Sequence, residues 1–161
     1  MSGTVETAIA AIAAAHLGIT AAAGYNNTIK YTTRHYREPS GFAADQAPAI
    51  MVYRAIGGRS TIRAMDKEVY MMDLRIEISG FALGTGQTAD QQALASLGEN
   101  LIADIKNLQD KDPLYGTNPY AGIGIKGSWV TDDYNDANWF EEGVFVTVGL
   151  NVKLVYQKGN A

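Results

Sequence analysis

The chain has 161 residues, 47% hydrophobic and 19% charged, with no cysteine and a net charge of −4. That length suffices for one domain with a real core, since a domain of about 150 residues buries roughly 70% of its unfolded surface. The lack of cysteine excludes disulfides and thiolate metal sites and is compatible with a reducing compartment, and the mild acidity argues against a nucleic-acid binder with a clustered basic face.

A first helix is predicted from Val5 to about His16, started by Thr4 and stopped by Gly18. Val5, Ile9, Ile12 and His16 share one face. Most of the rest is alanine, which favours helix, buries little area and lets another backbone approach closely. His16 falls at the C-terminal end, where a positive charge would meet the negative end of the helix dipole. The apolar run Ala8–Ala15 is too short to span a membrane. Glu6 is the only charge before it, unlike the basic start of a signal peptide. A soluble, non-secreted protein is expected.

Strands are predicted over Thr28–Arg34 and Pro48–Ile56, with a loop at 35–47 between them. Gly57 and Gly58 open a long turn or arm reaching about Glu68 and carrying Arg59, Arg63 and Lys67. The third strand, Met71–Leu83, places Leu74, Ile76 and Ile78 on one face and Arg75, Glu77 and Ser79 on the other. Gly84, Gly86 and Thr88 break it, and Thr88 is a fair N-cap for a second helix. In that helix Leu94, Leu97, Leu101, Ile105 and Leu108 recur at spacings of three and four and form one apolar stripe. Asp110, Asp112 and Pro113 end it, and residues 112–121 read as a loop. A strand is predicted over Ile123–Thr131. The clearest strand signal closes the chain, where Val144, Val146, Val148, Leu150, Val152, Leu154 and Tyr156 alternate.

The order α-β-β-β-α-β-β predicts an α+β fold: a mainly antiparallel sheet of about five strands with two helices packed on one face. Residues 1–161 read as a single domain. Charge is uneven along it. Residues 1–80 hold eight Lys/Arg against seven Asp/Glu, and residues 81–161 hold five against ten. Such a gradient could orient copies against each other or be an ordinary solvated surface.

Candidate chemistry is thin. Gly122, Gly124 and Gly127 match the dinucleotide-binding G-x-G-x-x-G spacing, but that motif needs a helix N-terminus behind it, and Ser128, Trp129 and Val130 continue as strand. Asp132, Asp133, Asp136, Glu141 and Glu142 could ligate a cation. Counted from Asp132, however, position three is Tyr134 and position six is Ala137, where a calcium loop needs glycine. A solvated hairpin tip is the better reading of 132–142. Asp110 and Asp112 are explained as a helix stop. His16 and His35 lie near no nucleophile motif. Arg34, His35, Tyr36 and Arg37 form a small basic-aromatic patch that could touch phosphate or a partner's carboxylates. No enzyme activity, metal or cofactor is expected.

The order of elements nevertheless resembles a known family, the tail terminator (tail completion) proteins of long-tailed phages. The matching segments are the Ala-rich first helix, Pro48-Ala-Ile-Met-Val-Tyr53, Ile76-Glu-Ile-Ser-Gly-Phe81, Leu97-Gly-Glu-Asn-Leu-Ile-Ala-Asp-Ile-Lys106, Asp112-Pro-Leu-Tyr-Gly116 and Leu150-Asn-Val-Lys-Leu-Val-Tyr156. The likeness covers nearly the full length, but the arm at 57–68 and the segment 132–142 do not match. It implies a subunit that assembles as a ring, usually a hexamer, on the last ring of tail tube protein at the head-proximal end of the virion tail. It further implies contacts with tube protein on one side and head-completion protein on the other, with genomic DNA passing through the lumen, and assembly in the host cytoplasm without a membrane. A head–tail connector, a tube subunit, or a small ligand-binding or enzymatic α+β domain are the alternatives. The opposite charges of Arg59, Arg63 and Lys67 and of Asp132, Asp133, Asp136, Glu141 and Glu142 make those eight residues the candidate subunit or partner interface.

Overall fold

A computed structural model describes residues 4–38, 41–55, 61–66, 69–83, 91–109, 125–140 and 143–159. The elements in chain order are α1 (Thr4–His16), β1 (Tyr31–Thr33), β2 (Ala49–Arg54), β3 (Thr61–Asp66), β4 (Val69–Leu83), α2 (Gln91–Gln109), β5 (Ile125–Phe140) and β6 (Gly143–Gly159). Short 3₁₀ turns stand at Ala21–Ala23 and Ala44–Gln46. The proposed cap Thr88, the glycines 84 and 86, and the helix stop and loop at 110–121 lie outside the described residues.

One sheet runs in the order β1-β2-β4-β6-β5, and β3 also pairs with β4. The strands number six rather than five because the expected polar arm contains β3. β2 pairs with β4 over residues 76–81 and β3 over residues 69–73, so the two share one edge of β4 in succession. All pairings are antiparallel except β1 with β2, which is parallel. The excursion between β1 and β2 explains this: parallel neighbours need a crossover of about a dozen residues or more.

Alternation sorts the sheet into two faces. On the inner face stand Ile50 and Val52 of β2, Ile76, Ile78 and Ala82 of β4, and Val146, Val148, Leu150, Val152 and Leu154 of β6, all buried. Ile9 and Ile12 of α1 and Leu101, Ile102, Ile105 and Leu108 of α2 join them in one core. Both helices therefore pack on the same face, as the two apolar stripes required. α2 lies over β5 and β6, and α1 lies near β2. Gly80 marks the closest approach, since a Cβ there would come 2.6 Å from Leu101 Cδ2 and 2.8 Å from Val148 Cγ2.

Two buried polar groups tie α2 to the first segment. The Asp104 carboxylate is fully buried and accepts four hydrogen bonds, from the backbone N–H and side-chain Nδ2 of both Asn26 and Asn27, at 2.8–3.1 Å. His16 is also fully buried. Its Nδ1–H donates to Ile12 O at 2.7 Å, and Nε2 faces Gln109 Nε2 at 3.4 Å. Burial pushes the imidazole down to about 4. The ring at the end of α1 is thus neutral near pH 7, and the expected charge–dipole contact gives way to a hydrogen-bonded core position.

Candidate docking face

The outer face of the sheet carries the unusual chemistry. The excursion after β1 folds over one part of it. Phe42 stacks on Phe81 with centroids 5.4 Å apart, and Arg37 lies 5.4 Å and 5.3 Å from the ring centroids of Tyr31 and Phe42. Arg34 bonds Glu6 at 3.0 Å. Both arginines of the basic-aromatic patch are therefore engaged within the chain, while His35 and Tyr36 remain exposed. Arg34 thus ties to α1, and Arg37 braces the Tyr31 and Phe42 rings, so neither guanidinium is presented as an open phosphate site.

Beside these residues the face is only partly covered: Met51 and Ser79 are buried, Tyr53, Glu77 and Asn151 are half-buried, and Asp132 and Tyr134 are exposed. Register places Tyr53, Glu77, Asn151 and Asp132 in one row across β2, β4, β6 and β5. The next row holds Met51, Ser79, Gly149 and Tyr134. Tyr53 Oη lies 2.7 Å from Ser79 Oγ, Ser79 donates to Glu77 Oε1 at 3.3 Å, and Tyr134 donates to the same oxygen at 3.1 Å. Either hydroxyl can donate in the Tyr53–Ser79 contact, and Tyr53 also hydrogen-bonds toward Glu77. Tyr36 meets Tyr53 edge-on at 5.9 Å. Burial and the Glu77 charge push the Tyr53 and Tyr134 phenols above their ordinary range. Tyr36 is raised by burial and by Glu38 and Glu77. All three phenols stay protonated donors near neutral pH.

The acidic segment differs from expectation. Residues 132–140 are strand rather than hairpin tip, because β6 is seventeen residues long and β5 pairs along nearly all of it. The polar composition that suggested a tip has another cause: among the described residues β5 is the last strand of the sheet, and Asp132, Tyr134 and Asp136 on its outer face are exposed. A register shift between Val130 and Asp132 sets which face each carboxylate takes. Asp132 and Asp136 fall on the outer face and are exposed. Asp133 falls on the α2 side and pairs with Lys106. Asn135, also on that side, donates to Ala95 O at 2.8 Å and Glu99 Oε1 at 3.1 Å. Asp133 thus serves a contact inside the subunit while remaining at the surface. Arg63 sits in β3 at the register shift between Ile62 and Ala64. Arg59, Lys67, Glu141 and Glu142 lie outside the described residues.

The other motifs resolve simply. Gly127 stands within β5 opposite Val155, and strand continues beyond it, so no helix N-terminus backs the glycine motif. Among the described residues no three His, Asp or Glu side chains cluster as metal ligands, and no helix is long and apolar enough to cross a membrane. A groove of about 350 Å³ lies between the end of α2 and the β5 edge, lined by Lys106, Gln109 and Trp129–Asp133. Sequence reasoning marked Glu77 and Ser79 only as the polar side of a strand. Nothing in it linked them to Tyr53 and Tyr134, whose meeting depends on register between strands far apart in sequence.

No family model matches the sequence, and no curated protein does. A solved chain does share the fold. It belongs to the virion of a native gene transfer agent (GTA) particle, is 13% identical, and superposes with a TM-score of 0.54 over 93% of this chain and 94% of that one. At this identity the likeness concerns fold.

Proposed function

We propose that this chain is a structural protein of a phage-like virion that acts by assembly rather than by chemistry. The carrying observation is the fold shared, over nearly the whole of both chains, with a component of a gene transfer agent virion. The finer reading is a tail terminator: a ring, hexameric in the resembling family, that caps the tail tube, stops its growth and receives the head-completion protein.

The two sides of the sheet support a ring. Among the described residues β5 pairs only with β6 and forms one side of the sheet, while β1 and β3 form the other. Two sides of different character suit a heterologous contact, in which one patch meets a different patch on the next copy. In this reading the arm with Arg59, Arg63 and Lys67 approaches Asp132, Asp133, Asp136, Glu141 and Glu142 of its neighbour. Duplex DNA would cross an acidic lumen without being held, because neutralising phosphates is what adds a salt-dependent binding term.

The test is complementation. Particles lacking this protein should carry tails of abnormal length or tails unjoined to heads, and added protein should restore infectivity. Normal tails and full infectivity without it would end the terminator reading. Turnover of a specific substrate would instead revive the enzymatic one.

A further inference from the structure

Glu77 is a half-buried carboxylate without a counter-ion among the described residues. Its Oε1 accepts from Ser79 and Tyr134, and the Tyr53 hydroxyl also lies within hydrogen-bonding reach of the carboxylate. No described Lys or Arg pairs with it; Arg75, two residues back on the same face of β4, is exposed and makes no ion pair with a described residue. The surroundings are aromatic. Tyr53 stands to one side with Tyr36 against its edge, and Tyr134 stands to the other, Tyr36 and Tyr134 being 51% and 46% exposed. Gly149 is what lets Tyr134 lie flat between β5 and Glu77, since a Cβ at 149 would come 2.3 Å from its ring.

We propose that Glu77, walled by Tyr36, Tyr53 and Tyr134, is a seat for an arginine side chain presented by another virion protein. A guanidinium matches each element of the site. It carries the charge that Glu77 lacks, its N–H fork can donate to the carboxylate and to a phenol oxygen, and its flat face stacks on aromatic rings. Lysine would satisfy the charge but not the fork or the stacking. Arginine set among tyrosines is also a common composition of energetic centres in protein interfaces.

Charge argues for a different protein rather than a second copy. The outer face carries Glu77, Asp132 and Asp136 against Arg75 and Lys153, so two such faces would bring like charges together. Two other described arginines, Arg34 and Arg37, are already engaged by Glu6 and by the Tyr31 and Phe42 rings. The face also points away from the sides of the sheet proposed to close the ring, so a ring neighbour would leave it free. The identity of the partner as a virion protein rests on the proposed function; the chemistry of the seat does not.

The probe is Nα-acetyl-arginine amide, titrated into the isolated full chain while the ring resonances of Tyr36, Tyr53 and Tyr134 are followed by NMR. The neutral isostere Nα-acetyl-citrulline amide and the lysine analogue serve as controls. Saturable shifts with the arginine probe are expected, weaker ones with lysine and none with citrulline. Glu77→Gln should weaken binding about tenfold or more, the effect of one charge-assisted hydrogen bond, and Tyr134→Phe by less. Equal response to citrulline, no response to arginine, or unchanged binding by a folded Glu77→Gln would overturn the seat. If that variant unfolds, the contrast between arginine and citrulline on the natural chain decides. Ring shifts that arise on concentrating the protein alone, and vanish in Arg75→Gln, would assign the seat to a second copy and overturn the assignment to another protein. Neither result depends on complementation, so failure of the terminator reading and failure of the seat are separately visible.

Discussion

Tyr134 lies across Gly149, its ring occupying the space that any side chain at 149 would need. Across that glycine it reaches from β5 to Glu77 on β4. Gly149→Ala should therefore swing Tyr134 outward and break its bond to Glu77. The stability cost should stay near about 1 kcal/mol, because the ring is half exposed and alanine itself suits a strand better than glycine. A double-mutant cycle with Tyr134→Ala checks this. The two losses should be clearly non-additive, as for residues in contact; additive losses would mean that the pair does not interact.

Leu101→Ala removes the side chain that covers Gly80 at the centre of the core. It should cost roughly 2–5 kcal/mol, as other buried leucine truncations do. Urea unfolding measures it, and a loss under about 0.5 kcal/mol would show that the α2 stripe is not core.

Asp104→Ala should leave four N–H donors of Asn26 and Asn27 without an acceptor. The expected loss is about 2–4 kcal/mol, with the penalty for orphaned donors as its main part. Hydrogen exchange gives the specific readout: the Asn26 and Asn27 amides should lose protection well before those of β6.

His16 makes stability depend on pH. The folded imidazole titrates at about 4, against 6.5 when unfolded. The unfolded chain therefore binds a proton first as pH falls, so stability is full above about 6.5, declines between 6.5 and 4, and levels off below. The full span is on the order of 3 kcal/mol. Comparing the chain with His16→Leu at about pH 7 and about pH 4.5 isolates it. The variant should lack this part of the slope, and equal slopes would exclude His16 as its source.

Reversing the charges of the arm, as Arg59→Glu with Arg63→Glu, should impair assembly while circular dichroism shows a folded subunit. Rim charges act mainly on association rate and register, so the defect should deepen as salt is lowered. Sizing chromatography with mass determination reads it, and normal assembly would remove the proposed contact.

The layout of the fold was legible because its main elements obey simple periods. The α2 stripe and the β6 alternation each span many residues, and the two apolar faces had no other partner of equal length. Local polarity misled where tertiary context set the conformation. Asp132–Phe140 reads as a tip but is strand because β6 needs a partner along its length. β3 was hidden inside a basic arm. His16 looked like a charged helix end, and only the arrival of α2 makes it a buried neutral group. The outer-face constellation was the least legible part, since Tyr53, Glu77 and Tyr134 become neighbours only through strand order. Asp133 shows the same limit at one position, where a register shift beside Thr131 turned it toward Lys106.

The β4–β6 ladder has a mechanical consequence. Fifteen consecutive residue pairs run from Val69 opposite Gly159 to Leu83 opposite Phe145 without a register shift. By contrast, the pairing of β3 carries one shift and that of β5 two. Tension applied along the strands would load the whole central ladder at once, in shear, whereas tension on an outer strand would peel it one bond at a time from its irregular point. Under strain the subunit should therefore fray at its rims and keep its spine.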